Sequence, residues 1–129
     1  MFASKRPTNL GVKDGKLADA PNTPNCVSSQ SENPQSKIAP LTYNSSREEA
    51  KAKLKQVIEG MERTTLITES EDYLYAEFKS KLMGFVDDVE FYLDDANKVI
   101  HVRSASRLGK SDLGVNRKRV ETIRELFKS

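Results

Sequence analysis

Between residues 73 and 104 apolar and polar side chains alternate with a period of two in three consecutive runs, and no other feature limits the fold so sharply. A period of two sends successive side chains to opposite sides of a sheet. In YLYAEFKSK, Leu74, Ala76 and Phe78 take one side, and Tyr73, Tyr75, Glu77 and Lys79 take the other. In FVDDVEFYL, just after Gly84, Val89, Phe91 and Leu93 oppose Asp88, Glu90 and Tyr92. In KVIHVRS, Ile100 and Val102 oppose Val99, His101 and Arg103. The last two runs are joined by Asp94-Asp95-Ala96-Asn97, whose short polar side chains bond their own backbone in a turn. The β-branched TTLIT, residues 64–68, reads as a further strand, and the apolar stretch from Ile38 to Tyr43 as a short edge strand.

Helices flank this block. Ser46-Arg47-Glu48-Glu49 has the form of a capping box, and Ala50, Leu54, Val57, Ile58 and Met61 then form one apolar stripe. The spacing predicts a helix over residues 47–60, with Gly60 letting the chain turn out. After the loop SASRLGKSDLG, a second stripe of Val120, Ile123, Leu126 and Phe127 predicts a C-terminal helix capped by Asn116 or Asp112. The fold class is α+β: an antiparallel four- to five-stranded sheet with two helices packed on one face, plus an irregular N-terminal arm. At 129 residues this is one domain, read as a core of residues 37–129 and an arm of residues 1–36 that docks from about residue 19. All five prolines (Pro7, Pro21, Pro24, Pro34 and Pro40) fall in the first 40 residues, and no helical or alternating pattern appears there. The second sheet face, with Tyr73, Tyr75 and Tyr92 beside charges, calls for a cover, and the arm is the uncommitted segment.

Charge narrows the function classes. Residues 98–129 carry nine Lys/Arg against three Asp/Glu, a net of +6, so a chain of net charge +2 carries −4 over residues 1–97. So small a total, with acids crowding the neighbouring strands, gives no strong nucleic-acid signal and favours a local anion site. No apolar run is long enough to span a bilayer, and no stretch of signal-peptide length follows the first basic residues, so the expected location is cytoplasmic. Asn44-Ser45-Ser46 fits a glycosylation pattern but reads more simply as the helix start. One cysteine makes no internal disulfide.

The densest polar cluster runs from Arg103 to Arg119. Arg103, Ser104, Ser106, Arg107, Asp112, Asn116, Arg117 and Arg119 combine guanidinium donors with a helix N-terminus, a combination suited to a carboxylate or phosphate. The competing reading is structural: Arg103, Arg107 and Arg119 pair internally with Asp88, Glu90 or Asp112. Gly109-Lys110-Ser111 ends like a P-loop, but Ser104 stands where that loop needs its first glycine, so nucleotide hydrolysis of that type has no support. Cys26 and His101, the sole thiol and sole imidazole, could form a thiolate and imidazolium pair if the arm crosses the sheet; the plainer readings are a packed thiol and a histidine bonded to a carboxylate. Two such ligands are too few for structural zinc, and Asp87, Asp88, Glu90, Asp94 and Asp95 do not follow a calcium-loop spacing, so no metal and no cofactor is expected.

With PNTPNCVSSQ in the arm, IAPLTY before the first helix, FVDDVEFYLD in the sheet and HVRSASRLGKSDLGVNRKRVETIRELF at the end, the chain resembles the domain of unknown function 1499 family from about Leu10 to Phe127. The resemblance puts Pro24, Asn25, Cys26, Val27, Ser28 and Ser29 in one shared block. A second block holds Arg103, Ser104, Ser106, Arg107, Gly109, Asp112, Gly114, Asn116, Arg117 and Arg119. It implies no reaction, since the family has none established, but it does imply that the arm packs on the domain. The functional reading is a non-enzymatic accessory binding module with an anion-accepting pocket near the C-terminal arginines, its partner a small anionic ligand. The alternatives are a thiol-dependent enzyme or redox sensor using Cys26, and an assembly factor that binds a protein partner.

Overall fold

The alternation becomes one sheet. The computed structural model describes residues 5–20, 25–80, 84–107 and 114–128. In chain order the elements are β1 (Cys26–Ser28), β2 (Leu41–Thr42), α1 (Arg47–Glu59), β3 (Thr64–Glu69), β4 (Tyr73–Lys79), β5 (Val86–Asp94), β6 (Val99–Ser106) and α2 (Val115–Lys128). Five strands lie in the order β1-β6-β5-β4-β3, and β2 pairs with β6 as well, giving six strands whose ladders are antiparallel. The α+β architecture with two helices against the sheet is therefore the one expected. The structure adds a strand, β1, inside the arm.

Register fixes the faces. Ala76, Val89 and Ser104 stand in one row across β4, β5 and β6, and Val27 of β1 extends it. This side meets the helices: Leu54 and Ile58 of α1 and Val120, Ile123 and Phe127 of α2 pack on Leu74, Ala76, Val89, Phe91, Ile100 and Val102. Val27 and Ile38 from the first 40 residues belong to the same core. A ring the size of Phe91, fully buried, contributes about 2–3 kcal/mol by removal from water.

Local chemistry sets the ends. The Ser46 hydroxyl accepts the Glu49 amide at 3.1 Å and donates to Glu49 Oε1 at 3.2 Å, so α1 starts where the capping pattern predicts. Gly60 is in an ordinary right-handed conformation; the left-handed residue that turns the chain into β3 is Arg63 (φ 54°). Leu126 also departs from expectation, since it is exposed while its neighbour Phe127 takes the core position. Asn116 is not a cap either. Gly114 (φ 80°) precedes α2 and its carbonyl accepts the Lys118 amide at 3.0 Å, which puts Asn116 inside the first turn, fully buried. The other cap candidate, Asp112, lies outside the described residues, as does the Gly109-Lys110-Ser111 segment.

Candidate functional site

β6 sends its polar residues to both sides of the sheet, so the residues grouped by sequence proximity divide into two sets. Ser104 and Ser106 face the helices. There the Ser104 hydroxyl donates to Asn116 Oδ1 at 2.6 Å, and Asn116 Nδ2 donates to Ser106 Oγ at 2.9 Å and to the Asn25 carbonyl at 3.1 Å. Arg119 donates to the same Oδ1 at 2.8 Å, pairs with Asp87 at 2.7 Å and lies over the Phe78 ring. The cluster satisfies its own donors and acceptors, as burial requires. Arg117 turns outward and donates to the Gln35 and Lys37 carbonyls, both at 2.9 Å, while Arg124 does the same to the Ala39 and Pro40 carbonyls. These two arginines fasten residues 35–40 to α2.

Arg103 and Arg107 are on the opposite face. Successive rows there bring together Tyr75, Glu90, Arg103 and Ser28, and then Glu77, Asp88, Ala105 and Cys26. Arg107 donates from Nε and Nη2 to both oxygens of Asp88 (2.9 and 2.8 Å) and reaches Glu77 Oε2 at 2.6 Å. The Tyr75 hydroxyl donates to Asp88 and stands 3.1 Å from Glu77 Oε2, and the Tyr73 hydroxyl donates to Glu90. Burial and these carboxylates push both tyrosine pKa values above the ordinary range. The Asp88 bonds, outweighing burial, raise that of Arg107. For Glu77, burial acts upward, but hydrogen bonds from Arg6, Arg107 and Tyr75 outweigh it and hold the carboxyl below its usual value. The Arg103 and Glu90 contact is looser, 3.6 Å between Nη1 and Oε1. Among the described residues, buried Glu90 Oε1 and Arg103 Nε have no hydrogen-bond partner.

The arm covers this face. Arg6 donates from Nε to Glu77 Oε2 at 2.8 Å, and the Gly11 amide donates to Glu90 Oε2 at 2.7 Å. Lys13-Asp14-Gly15-Lys16 then closes a two-residue turn with both central φ positive (54° and 75°) and reciprocal bonds between Lys13 and Lys16. Gln30 fastens the far end of this turn to the sheet, accepting the Leu17 amide at 2.8 Å and donating to the Gly15 carbonyl at 3.0 Å. Between residues 16–20 and the turn after β1 lies a cleft of about 420 Å³, walled by Lys16, Leu17 and Asp19 on one side and Ser28, Gln30 and Asn33 on the other. Arg103 Nη2 stands 3.5 Å from the Asp19 carbonyl beside it.

Cys26 and His101 sit on one face but apart. Cys26 is opposite Ala105, four residues along β6 from His101, a separation of about 13 Å at the usual strand rise. Cys26 is only 1% exposed. His101 Nδ1 is 3.1 Å from Ser29 Oγ, its ring stacks on Tyr92, and Nε2 is 3.8 Å from Asp94. Ser29, His101 and Asp94 thus stand in a line that sequence pattern alone did not assemble. The Ser29 oxygen accepts the Val102 amide at 2.9 Å, which makes it a fastener of the β1 end. Burial lowers the His101 pKa and the Asp94 charge opposes it. Arg6, Gly11, Ser28 and Gln30 were also missed, although Asp14-Gly15 is a turn signal that would have folded the arm back.

The protein family described as "Protein of unknown function (DUF1499)" matches residues 16–127, which span every strand and both helices up to Phe127. No curated protein matches the chain. The match includes the face residues and the cleft walls, and it begins after Arg6 and Gly11.

Proposed function

The chain belongs to the DUF1499 family, and on that premise we propose that it is a non-enzymatic binding module that receives a small polar molecule in the cleft between residues 16–20 and 28–33. The observation that carries this reading is the cleft itself: concave, of small-ligand size, and lined by amide, hydroxyl and charged groups on two segments that Gln30 ties together. Lys16 stands against Asp19 and Glu32 in its walls, which suits a neutral or zwitterionic molecule better than an anion. An anion-accepting pocket at the C-terminal arginines, the expectation from sequence, has less support. Arg103, Arg107 and Arg119 each face a carboxylate, and Arg117 is spent on backbone carbonyls, so an incoming anion would have to displace an internal partner. Chemistry at Cys26 is disfavoured by its burial and its distance from His101.

The test is a thermal-shift screen of amino acids, polyols, dicarboxylates, phosphate and sulfate on the full chain and on Ala18→Trp, whose indole fills the cleft. A ligand present at 100 times its Kd stabilises by about 2.7 kcal/mol, a readily measured rise in Tm. The reading predicts a rise for at least one polar compound that Ala18→Trp abolishes. A response to phosphate or sulfate that survives Ala18→Trp and falls in Arg117→Ala would return the site to the C-terminal arginines.

A further inference from the structure

Around Tyr75 the central part of the polar sheet face holds more carboxylates than guanidinium groups, with Lys79 exposed at the end of β4 and Asp94 beside His101 farther along the face. Glu77, Asp88 and Glu90 supply three carboxylates, and Arg103 and Arg107 supply two guanidinium groups. Arg6 supplies the third. Its guanidinium meets Glu77 at 2.8 Å and lies over the Tyr75 ring, 5.8 Å from the centroid, so a carboxylate and an aromatic face hold it together. Five residues further on, the Gly11 amide fills one oxygen of Glu90, a side chain with no exposed surface whose other oxygen has no hydrogen-bond partner among the described residues. A carboxylate fully withdrawn from water is costly unless its oxygens are engaged. A receptor built for donors is thus filled from the chain itself.

Two observations indicate that this filling is exchangeable. The Arg6 side chain is 51% exposed even in place, so its attachment is that of a surface ion pair, which is weak in water. The family match starts at residue 16, so the receptor residues Tyr75, Glu77 and Glu90 belong to the shared part of the chain while Arg6 and Gly11 do not. We propose that the face formed by Tyr75, Glu77 and Glu90 is a docking site for an extended peptide segment bearing an arginine, and that residues 5–11 occupy it in cis as an internal competitor. The partner places a guanidinium on Glu77 and Tyr75 and a backbone amide on Glu90. Local complementarity selects arginine, because without Arg6 the Glu77 carboxylate beside the Tyr75 ring shares the Arg107 guanidinium with Asp88.

The experiment titrates a synthetic peptide of residues 3–12, ASKRPTNLGV, and the same peptide with Gln in place of its arginine, into full-length wild type and full-length Arg6→Ala, followed by NMR. Arg6→Ala should bind the arginine peptide about threefold more tightly than wild type, with shifts centred on Tyr75, Glu77 and Glu90, and the Gln peptide should bind about threefold more weakly. Adding Glu77→Gln to Arg6→Ala should abolish the gain. In wild type, excess arginine peptide should speed hydrogen exchange at the Gly11 amide as the arm is displaced. Equal binding by wild type and Arg6→Ala, equal binding of the two peptides, or shifts away from this face would each overturn the proposal.

Discussion

Replacing Asn116 by alanine separates a structural joint from a ligand site. The side chain is fully buried and among the described residues makes four hydrogen bonds: two donated, to the Asn25 carbonyl and Ser106, and two accepted, from Ser104 and Arg119. Three of these join neutral groups, at about 1 kcal/mol net each, and the fourth comes from a cation, at about 1.5–3 kcal/mol. Some of this is retained, because the Asn25 carbonyl keeps the Ser106 amide and Arg119 keeps Asp87. Alanine is also the better helix former, by roughly 0.5 kcal/mol. The net expected loss is about 3 kcal/mol, a large part of the roughly 6–19 kcal/mol that a chain of this length commands. Urea unfolding followed by circular dichroism should show the midpoint fall by about 1.5 M for a slope near 2 kcal/mol/M. The thermal midpoint should fall by about 10 °C. A double-mutant cycle with Ser104→Ala should give a coupling of about 1 kcal/mol or more. A loss below about 1 kcal/mol in a folded variant would refute the reasoning and leave Asn116, Ser104 and Arg119 available to an outside ligand.

Acid should weaken the outer face through Glu77. Because the Glu77 pKa is lowered in the fold, its stabilising contribution is present above its unfolded value, about 4.3, and is lost as pH falls through the lower folded value; Glu77→Gln should flatten the Tm profile between about pH 5 and 3. At the other end, burial and then the Asp95 hydrogen bond push Tyr43 up to about 12. Its contribution is present below the ordinary phenol value, near 10, and is lost as pH rises through about 12, so the folded chain should show less phenolate absorbance at pH 11 than the urea-unfolded chain. Ellman's reagent should leave Cys26 unmodified for hours in the native chain and react with one thiol in urea; rapid native reaction would contradict its burial. Phe91→Ala should cost about 3–5 kcal/mol in urea unfolding, and a loss under 1 kcal/mol would mean that the core is not centred there.

Three long strands are legible because a sheet with one apolar face forces alternation, β3 because its residues are β-branched, and α1 because its cap and stripe are local signals. β1 is not, since three residues between prolines carry no period, and their pairing depends on a partner roughly eighty residues away. Closeness in sequence groups the C-terminal polar residues, but the strand divides them between two faces. The alternation of β6 already placed Arg103 and Ser104 on opposite faces. The role of Asn116 was also visible: at spacings of four, three and four it is in phase with Val120, Ile123 and Phe127, the buried stripe of α2. The arm's contacts were beyond pattern reading, because a single guanidinium meeting a carboxylate 71 residues away leaves no trace in composition.

β6 takes β1 and β2 on one edge, and α2 then clasps residues 35–40. The partners that hold residues 26–42 to the sheet edge and to α2 are therefore encoded in the last quarter. On the ribosome, residues 26–42 leave the exit tunnel long before their partner strand exists, and they have to stay extended and soluble in the meantime. Prolines, asparagines and serines suit such a wait, since they resist both premature helix and premature strand. The composition that made the arm look unstructured serves the nascent chain, and order arrives there last.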